Sequence, residues 1–169
     1  MTADDVPHIA QYLLKQHGLS QQGWTFRWDH AKRRAGRCSY SRKTITLSRH
    51  FAELNVTDRL GEIIDTILHE IAHALAPWHG HDDEWKSVCL KVGARPERCY
   101  DSEVVSMPDG EWSATCGGCG RRFSRHRQLR TNKWVYCRRC GPKVGRLTYA
   151  TGPAAVPVVG RSLPPRKLT

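Results

Sequence analysis

The residues best suited to chemistry form the segment His69-Glu70-Ile71-Ala72-His73. In a helix, two histidines four positions apart lie on one face, so both imidazoles can bind a single Zn²⁺ ion. Glu70 lies off that face and beside the open position of the metal, where a carboxylate can take a proton from the metal's water and pass it to a leaving amine. The pattern therefore predicts a zinc metallopeptidase with Glu70 as its catalytic base.

Chance is a poor explanation for this pattern. With the His and Glu content of the chain, a random sequence would contain about 0.02 matches to His-Glu-x-x-His. An accidental match would also leave two imidazoles without partners beside a strongly apolar helix face, which is unfavourable.

The third ligand of the zinc ion is not fixed by spacing. A catalytic zinc takes three protein ligands and keeps a fourth position for water. His79 and His81 both follow the motif closely, and a metzincin would use His79 but would have Gly where this chain has Ala76. A gluzincin would use a Glu from a later helix, for which Glu84 and Glu97 are weak candidates.

A second group of metal-ligand residues consists of two Cys-x2-Cys pairs, namely Cys116, Cys119, Cys137 and Cys140. Two such pairs give four thiolates for one tetrahedral zinc ion without an open position, so this site is structural. It would hold together a module too small for its own core. A redox dithiol is the competing interpretation, and two matched pairs favour zinc. We therefore expect one catalytic and one structural zinc ion.

Charge is distributed unevenly along the chain. The protein has 27 Lys and Arg against 16 Asp and Glu, and 13 of these cations but none of the acids lie in residues 112–169. Cationic side chains bind phosphates by displacing counterions, and the interleaved Phe123, Trp134 and Tyr136 could stack on unpaired bases. We predict binding of DNA without sequence specificity, single-stranded DNA included. The candidate contacts are Arg121, Arg122, Arg125, Arg127, Arg130, Lys133, Arg138 and Arg139.

The elements that position these residues follow from hydrophobic periodicity. Apolar residues recur every three or four positions from Leu60 to Leu75, which predicts a long helix that Thr57 or Asn55 caps. A further helix follows His81, and alternating residues at 24–28 and 44–47 predict two strands.

A turn around 107–110 divides the chain. We predict a metallopeptidase domain at 1–110, a zinc ribbon at 111–149 with strands near 122–123 and 133–136, and a basic, Pro-containing flexible tail at 150–169.

Beyond the motif, Gly80-His81-Asp82-Asp83-Glu84-Trp85 resembles the Gly-His-x-x-Glu-aromatic element of the SprT-like metalloproteases, which include bacterial SprT proteins and the eukaryotic Spartan. Similar segments at 24–28, 36–38, 45–48 and 93–99 extend the resemblance over most of residues 8–145. It implies an α+β fold, with a zincin-like helical core and a small β-sheet followed by a small zinc ribbon. It also implies His69, His73 and His81 as zinc ligands and DNA-associated proteins as substrates.

Other features bear on the compartment and on a competing function. The chain has no long apolar run and an odd number of cysteines, and its acidic first residues argue against a secretory leader. We therefore expect a cytoplasmic or nucleoid-associated protein in a reducing compartment, without membrane contact. The main alternative to a peptidase is a non-catalytic nucleic-acid-binding adaptor, and Glu70 argues against it because a purely structural site has no need of a base. A metallopeptidase whose basic region binds RNA or another protein is a further alternative.

Overall fold

The computed structural model describes residues 1–97, 104–130 and 135–152. The described chain has mixed α and β structure with two small sheets, which confirms the predicted α+β class. It divides into two compact units, unit 1 at Met1–Pro108 and unit 2 at Asp109–Thr169. None of the described helices is long and apolar enough to cross a membrane.

The described residues of unit 1 form four α-helices and a three-stranded sheet. The elements in chain order are α1 (Val6–Gln16), β1 (Thr25–Asp29), β2 (Gly36–Ser39), β3 (Thr44–Ser48), α2 (Arg49–Asn55), α3 (Leu60–Leu75) and α4 (Asp83–Val92). Strand β1 pairs in parallel with β3, and β2 pairs with the other side of β3 in antiparallel orientation. Helices α1 and α3 pack against this sheet.

Helix α3 is the predicted long helix, and its apolar face forms the centre of the core. Ile63, Ile67 and Ile71 are completely buried along that face. Its expected cap is wrong: the residue before the helix is Arg59, whose side chain makes no capping hydrogen bond.

Asn55 instead ends α2, and its buried amide bridges two parts of the chain. It donates to the Phe51 carbonyl at 2.7 Å and the Ser106 carbonyl at 2.8 Å, and accepts from the Ser106 N–H at 2.9 Å. The hydrogen-bonding capacity of the amide is thus used to hold residue 106 against α2.

Helix α4 is the further helix that the sequence predicts after His81. The Asp82 carboxylate accepts a hydrogen bond from the Trp85 N–H at 3.0 Å, and Gly93 ends the helix at φ +86°, where a side chain would be strained. The guanidinium of Arg95 then pairs with Asp65 at 2.9 Å and with Glu62 on α3. These contacts hold the end of α4 against α3.

Unit 2 contains a second three-stranded sheet and a short helix. Strand β4 (Trp112–Thr115) pairs antiparallel with both β5 (Arg122–Arg125) and β6 (Ala150–Thr151), and α5 spans Gly141–Val144. Strand β6 continues this sheet to Thr151, two residues beyond the predicted end of the ribbon at residue 149. Of the strand expected at 133–136, Tyr136 forms an isolated bridge with Arg146, while Lys133 and Trp134 lie outside the described residues.

Candidate metal centres

Three half-buried histidines converge in unit 1. His81 Nε2 lies 3.2 Å from His69 Nε2 and 3.3 Å from His73 Nε2. The ligand atoms of all three lie within 4.8 Å of one another. The first two side chains come from α3 and the third from the loop that precedes α4.

The spacing of these nitrogens fits a tetrahedral zinc site. Nitrogens bound to zinc at about 2.0–2.1 Å would lie about 3.3 Å apart in tetrahedral geometry, which the two measured distances match. Three imidazoles are also a characteristic donor set of catalytic zinc, which leaves the fourth position to water or substrate. The residues present therefore fit the ion.

Trp85 packs against all three imidazole rings. Its ring centroid lies 4.7 Å from that of His69, 5.1 Å from that of His73 and 4.5 Å from that of His81. Trp85 is completely buried, and its indole N–H has no hydrogen-bond partner in the described part of the chain. Packing rather than hydrogen bonding thus sets its position, and through it the orientation of the histidines.

Tyr40 supports the end of α3 beside the site. Its hydroxyl donates a hydrogen bond to the His73 carbonyl at 2.7 Å, which is one of the last carbonyls of a helix and lacks a partner within it. Trp78 lies almost parallel to the Tyr40 ring, with centroids 6.0 Å apart, and is 92% exposed. Because its φ of +73° is unfavourable for a bulky residue, Trp78 strains the loop between the second and third histidines.

Glu70 is buried between α3 and strand β2. A Cβ atom at Gly36 would lie 2.8 Å from Glu70 Oε1, so only glycine lets β2 approach this closely. Burial raises the pKa of Glu70 to about 7, and a hydrogen bond from the Cys38 backbone N–H opposes that rise. A carboxyl group with such a pKa can exchange a proton near neutral pH.

The pKa values of two of the histidines are shifted in the other direction. Burial, together with the neighbouring imidazoles, lowers the pKa of His69 and of His73 to about 4. Both rings are therefore neutral at pH 7, which leaves a nitrogen lone pair for a metal ion.

The alternative third ligands do not join this cluster. His79 lies on the surface, where its Nδ1 is 2.9 Å from the Asp82 carboxylate. Glu84 and Glu97 are both exposed, and neither joins a metal-ligand group in the described residues. The structure thus brings His81 to the pair from the motif.

His81→Ala should lower the zinc content of the full chain from two ions towards one, because two imidazoles cannot hold the ion as three do. His79→Ala removes a nearby imidazole that pairs with Asp82 and lies outside the histidine cluster, and it should keep both ions. Zinc content per purified chain measures the difference. Loss of zinc from the His79 variant but not from the His81 variant would show that the ligand is misassigned.

The four cysteines converge in unit 2. Their sulfur atoms lie within 4.8 Å of one another, and Cys119 Sγ is 3.8 Å from Cys137 Sγ. Four sulfurs bound at about 2.3 Å around one tetrahedral zinc ion would lie about 3.8 Å apart. Burial raises the pKa of Cys116, but hydrogen bonds from the backbone N–H groups of Cys119 and Gly118 outweigh it and lower that pKa to about 7. The cluster therefore fits a structural zinc ion.

Glycines shape the two cysteine turns in the same way. Gly120 and Gly141 each follow the second cysteine of a pair, and both have a φ of +71°. Their N–H groups donate to the Cys116 and Cys137 carbonyls respectively, each at 2.9 Å. A Cβ atom at Gly118 would lie only 3.0 Å from Cys140 Sγ, so the first turn closes tightly over the cluster.

The proposed DNA contacts of unit 2 are exposed wherever the structure describes them. Arg121 lies over the Phe123 ring at 5.7 Å and Arg125 over Tyr149 at 5.6 Å, while Arg122 pairs with Asp109 at 3.7 Å. Arg127, Arg130, Arg138 and Arg139 are also exposed, and Lys133 lies outside the described residues.

Two of the three aromatic residues predicted to stack on bases lie within the described residues. Phe123 packs against the small core of unit 2, whereas Tyr136 is 47% exposed. Trp134 lies outside the described residues.

Residues 7–104 match the model of the SprT-like family, which is more than half of the chain. The chain belongs to the SprT-like family. This match confirms the resemblance seen in the sequence and indicates a metalloprotease-type function. Searches of curated proteins and of solved structures give no match.

The SprT-like match covers the three histidines and Glu70 but ends before the four cysteines. Sequence reasoning missed the contributions of Tyr40 and Gly36 to this SprT-like site. The only signal for them was their nearness to Cys38 in a segment that resembles the family, because neither contact follows a local spacing rule.

Proposed function

We propose that this SprT-like protein is a zinc endopeptidase that acts on DNA-associated proteins. The convergence of His69, His73 and His81 is the observation that carries this proposal, and the buried Glu70 follows His69 directly on the same helix. In this proposal the core of unit 1 is zincin-like, with its zinc-binding histidines on helix α3. The protein would work inside the cell, near the nucleoid.

In this proposal His69, His73 and His81 hold the zinc ion, and Glu70 transfers the protons. When bound, zinc supplies a Lewis acid that polarises the scissile carbonyl and activates water. A Glu70 carboxylate oxygen takes a proton from the attacking water and delivers it to the leaving amine nitrogen. The Cys38 N–H and the close approach of Gly36 hold that carboxylate in place.

Unit 2 would bind the protein to DNA. The exposed arginines around the four-cysteine cluster support this role, because they present positive charge on a small module fixed by a metal. Arg121 and Arg125 already lie over aromatic rings, so ordering them on DNA costs less entropy than ordering free side chains. Phosphate contacts of this kind carry no sequence preference.

Cys137→Ser separates the two proposed roles. It should remove one zinc ion and unfold the cysteine turns, because three thiolates no longer close the tetrahedral site. Cleavage of a free unstructured protein such as casein should stay within about twofold of wild type, since the His ligands lie in unit 1. Zinc content and casein cleavage are measured together.

The matched control is Cys89→Ser, which changes a buried cysteine of unit 1 outside both clusters. It should keep both zinc ions. Complete loss of casein cleavage in Cys137→Ser, at one remaining zinc per chain, would contradict a peptidase site confined to the histidines.

A further inference from the structure

Unit 1 is divided electrostatically between its sheet and the rest. Residues 25–48, which form the three strands and their connections, hold seven Lys or Arg and one Asp. The remainder of residues 1–108 holds seven Lys or Arg and thirteen Asp or Glu. Although unit 1 has no net charge, its sheet is strongly positive and its other parts are negative.

The strand register places two arginines on one face of this sheet. Arg27 lies opposite Thr46, and Thr46 lies opposite Arg37, so the three side chains form a row across the strands. The two outer strands lie about 10 Å apart. Both arginines are exposed and have no ion pair within the described residues, whereas Ile45 and Leu47, on the other face, are buried in the core.

Further cations lie at both ends of the same strands. The connection after β1 carries Lys32, Arg33 and Arg34, and the turn before β3 carries the exposed Arg42 and Lys43. Measured along the strands, the distance between these two ends is about 16 Å, the length of a five-residue strand. The row of arginines lies between them. We call this surface, from residues 32–34 through Arg27 and Arg37 to residues 42–43, the basic sheet face.

The single acid of the basic sheet face is already neutralised. Asp29 Oδ2 lies 2.5 Å from the Arg34 guanidinium and accepts a hydrogen bond from the Thr46 hydroxyl at 2.7 Å. It therefore offers little repulsion to an approaching anion. The aromatic residues of β1, Phe26 and Trp28, point to the opposite, core-packed face, so they are not presented for stacking on bases.

These features match the backbone of duplex DNA. Each strand of B-DNA carries one phosphate for about every 3.4 Å along the helix, so a positive surface of about 16 Å spans about five phosphates. A surface with guanidinium groups but without exposed aromatic rings suits phosphates rather than unpaired bases.

We propose that the basic sheet face of unit 1 binds the phosphate backbone of duplex DNA. This inference rests on the proposed association with DNA and adds to it a contact that unit 2 does not supply. Along β2, Gly36 meets Glu70 and the Cys38 N–H bonds to it, while Arg37 points the other way. DNA on this face would therefore be separated from Glu70 by strand β2. It would leave the part of unit 1 that carries the three histidines open to a peptide.

The test is DNA binding by full-length Arg27→Gln/Arg37→Gln, measured by fluorescence anisotropy with a labelled duplex in about 50 to 200 mM salt. Loss of two phosphate contacts should make the slope of log K against log[salt] shallower by about 2 and weaken binding by about 10- to 100-fold at 0.1 M salt. The charge-retaining Arg27→Lys/Arg37→Lys should bind within about twofold of wild type, which separates charge from folding.

The matched control is Lys15→Gln/Lys91→Gln, which removes the same charge from exposed positions on α1 and α4. It should leave the salt slope unchanged. Equal affinity and slope in the arginine variant and this control would overturn the proposal, as would equally strong competition by poly-glutamate. The affinity for DNA and its dependence on salt are both measured without proteolysis. An inactive peptidase would therefore refute the proposed function but would not affect this test of DNA binding.

Discussion

Glu70→Gln is expected to reduce peptide hydrolysis by about 10²- to 10⁴-fold, the range typical of a lost general base. The amide has almost the same size as the carboxyl group but cannot accept the proton of the attacking water. Because the three histidines are unchanged, the variant should still bind zinc at its normal stoichiometry. Rates on a fluorogenic peptide and zinc content are measured on the same preparation.

The matched control for this prediction is Glu84→Gln. Glu84 is exposed on α4 and lies outside the histidine cluster, so its removal should leave the rate within about twofold of wild type. A Glu70 variant with full zinc content and wild-type turnover would show that another group serves as the base.

The second large effect concerns cleavage of DNA-bound substrates. Arg138→Gln/Arg139→Gln removes two exposed cations of unit 2 and should slow cleavage of a DNA-bound protein by about tenfold at 0.1 M salt. Cleavage of a free peptide should not change, because binding to DNA acts by raising the local concentration of substrate. For the same reason, higher salt should abolish the advantage of wild type.

Lys15→Gln/Lys91→Gln again provides the comparison at equal net charge. The informative quantity is the ratio of rates on DNA-bound and free substrate, which cancels any general loss of activity. An unchanged ratio in the Arg138/Arg139 variant, across the full salt series, would exclude these residues as contacts that bring the enzyme to its substrate.

The helices of unit 1 were largely predictable because their signals are local. The apolar repeat of α3 continues over four turns, and Asp82 and Gly93 mark the ends of α4. The motif histidines follow from the same periodicity, since residues four apart share one helix face.

The third zinc ligand was not predictable from spacing, because His79 and His81 are separated by one residue. Their difference lies in the partners they reach: His79 pairs with the neighbouring Asp82, whereas His81 Nε2 lies 3.2 Å from His69 Nε2 and 3.3 Å from His73 Nε2 on α3. The family resemblance indicated His81, but only the packed structure shows what sets the two side chains apart.

Sequence reasoning failed where distant residues share one polar group or one close contact. Asn55 was a plausible helix cap by type, yet its amide holds Ser106, which lies 51 positions away. The approach of Gly36 to Glu70 and the bond from Tyr40 to His73 are likewise long-range. Such contacts depend on how the sheet meets α3, which no local pattern encodes.

The most direct test of the account is mass-spectrometric analysis of the products of an unstructured protein incubated with the zinc-loaded chain. We predict internal fragments with new amino termini from the wild-type protein and none above background from Glu70→Gln at the same zinc content. An intact substrate after incubation with the wild-type chain, at two zinc ions per chain, would contradict the proposal that the histidine site hydrolyses peptide bonds.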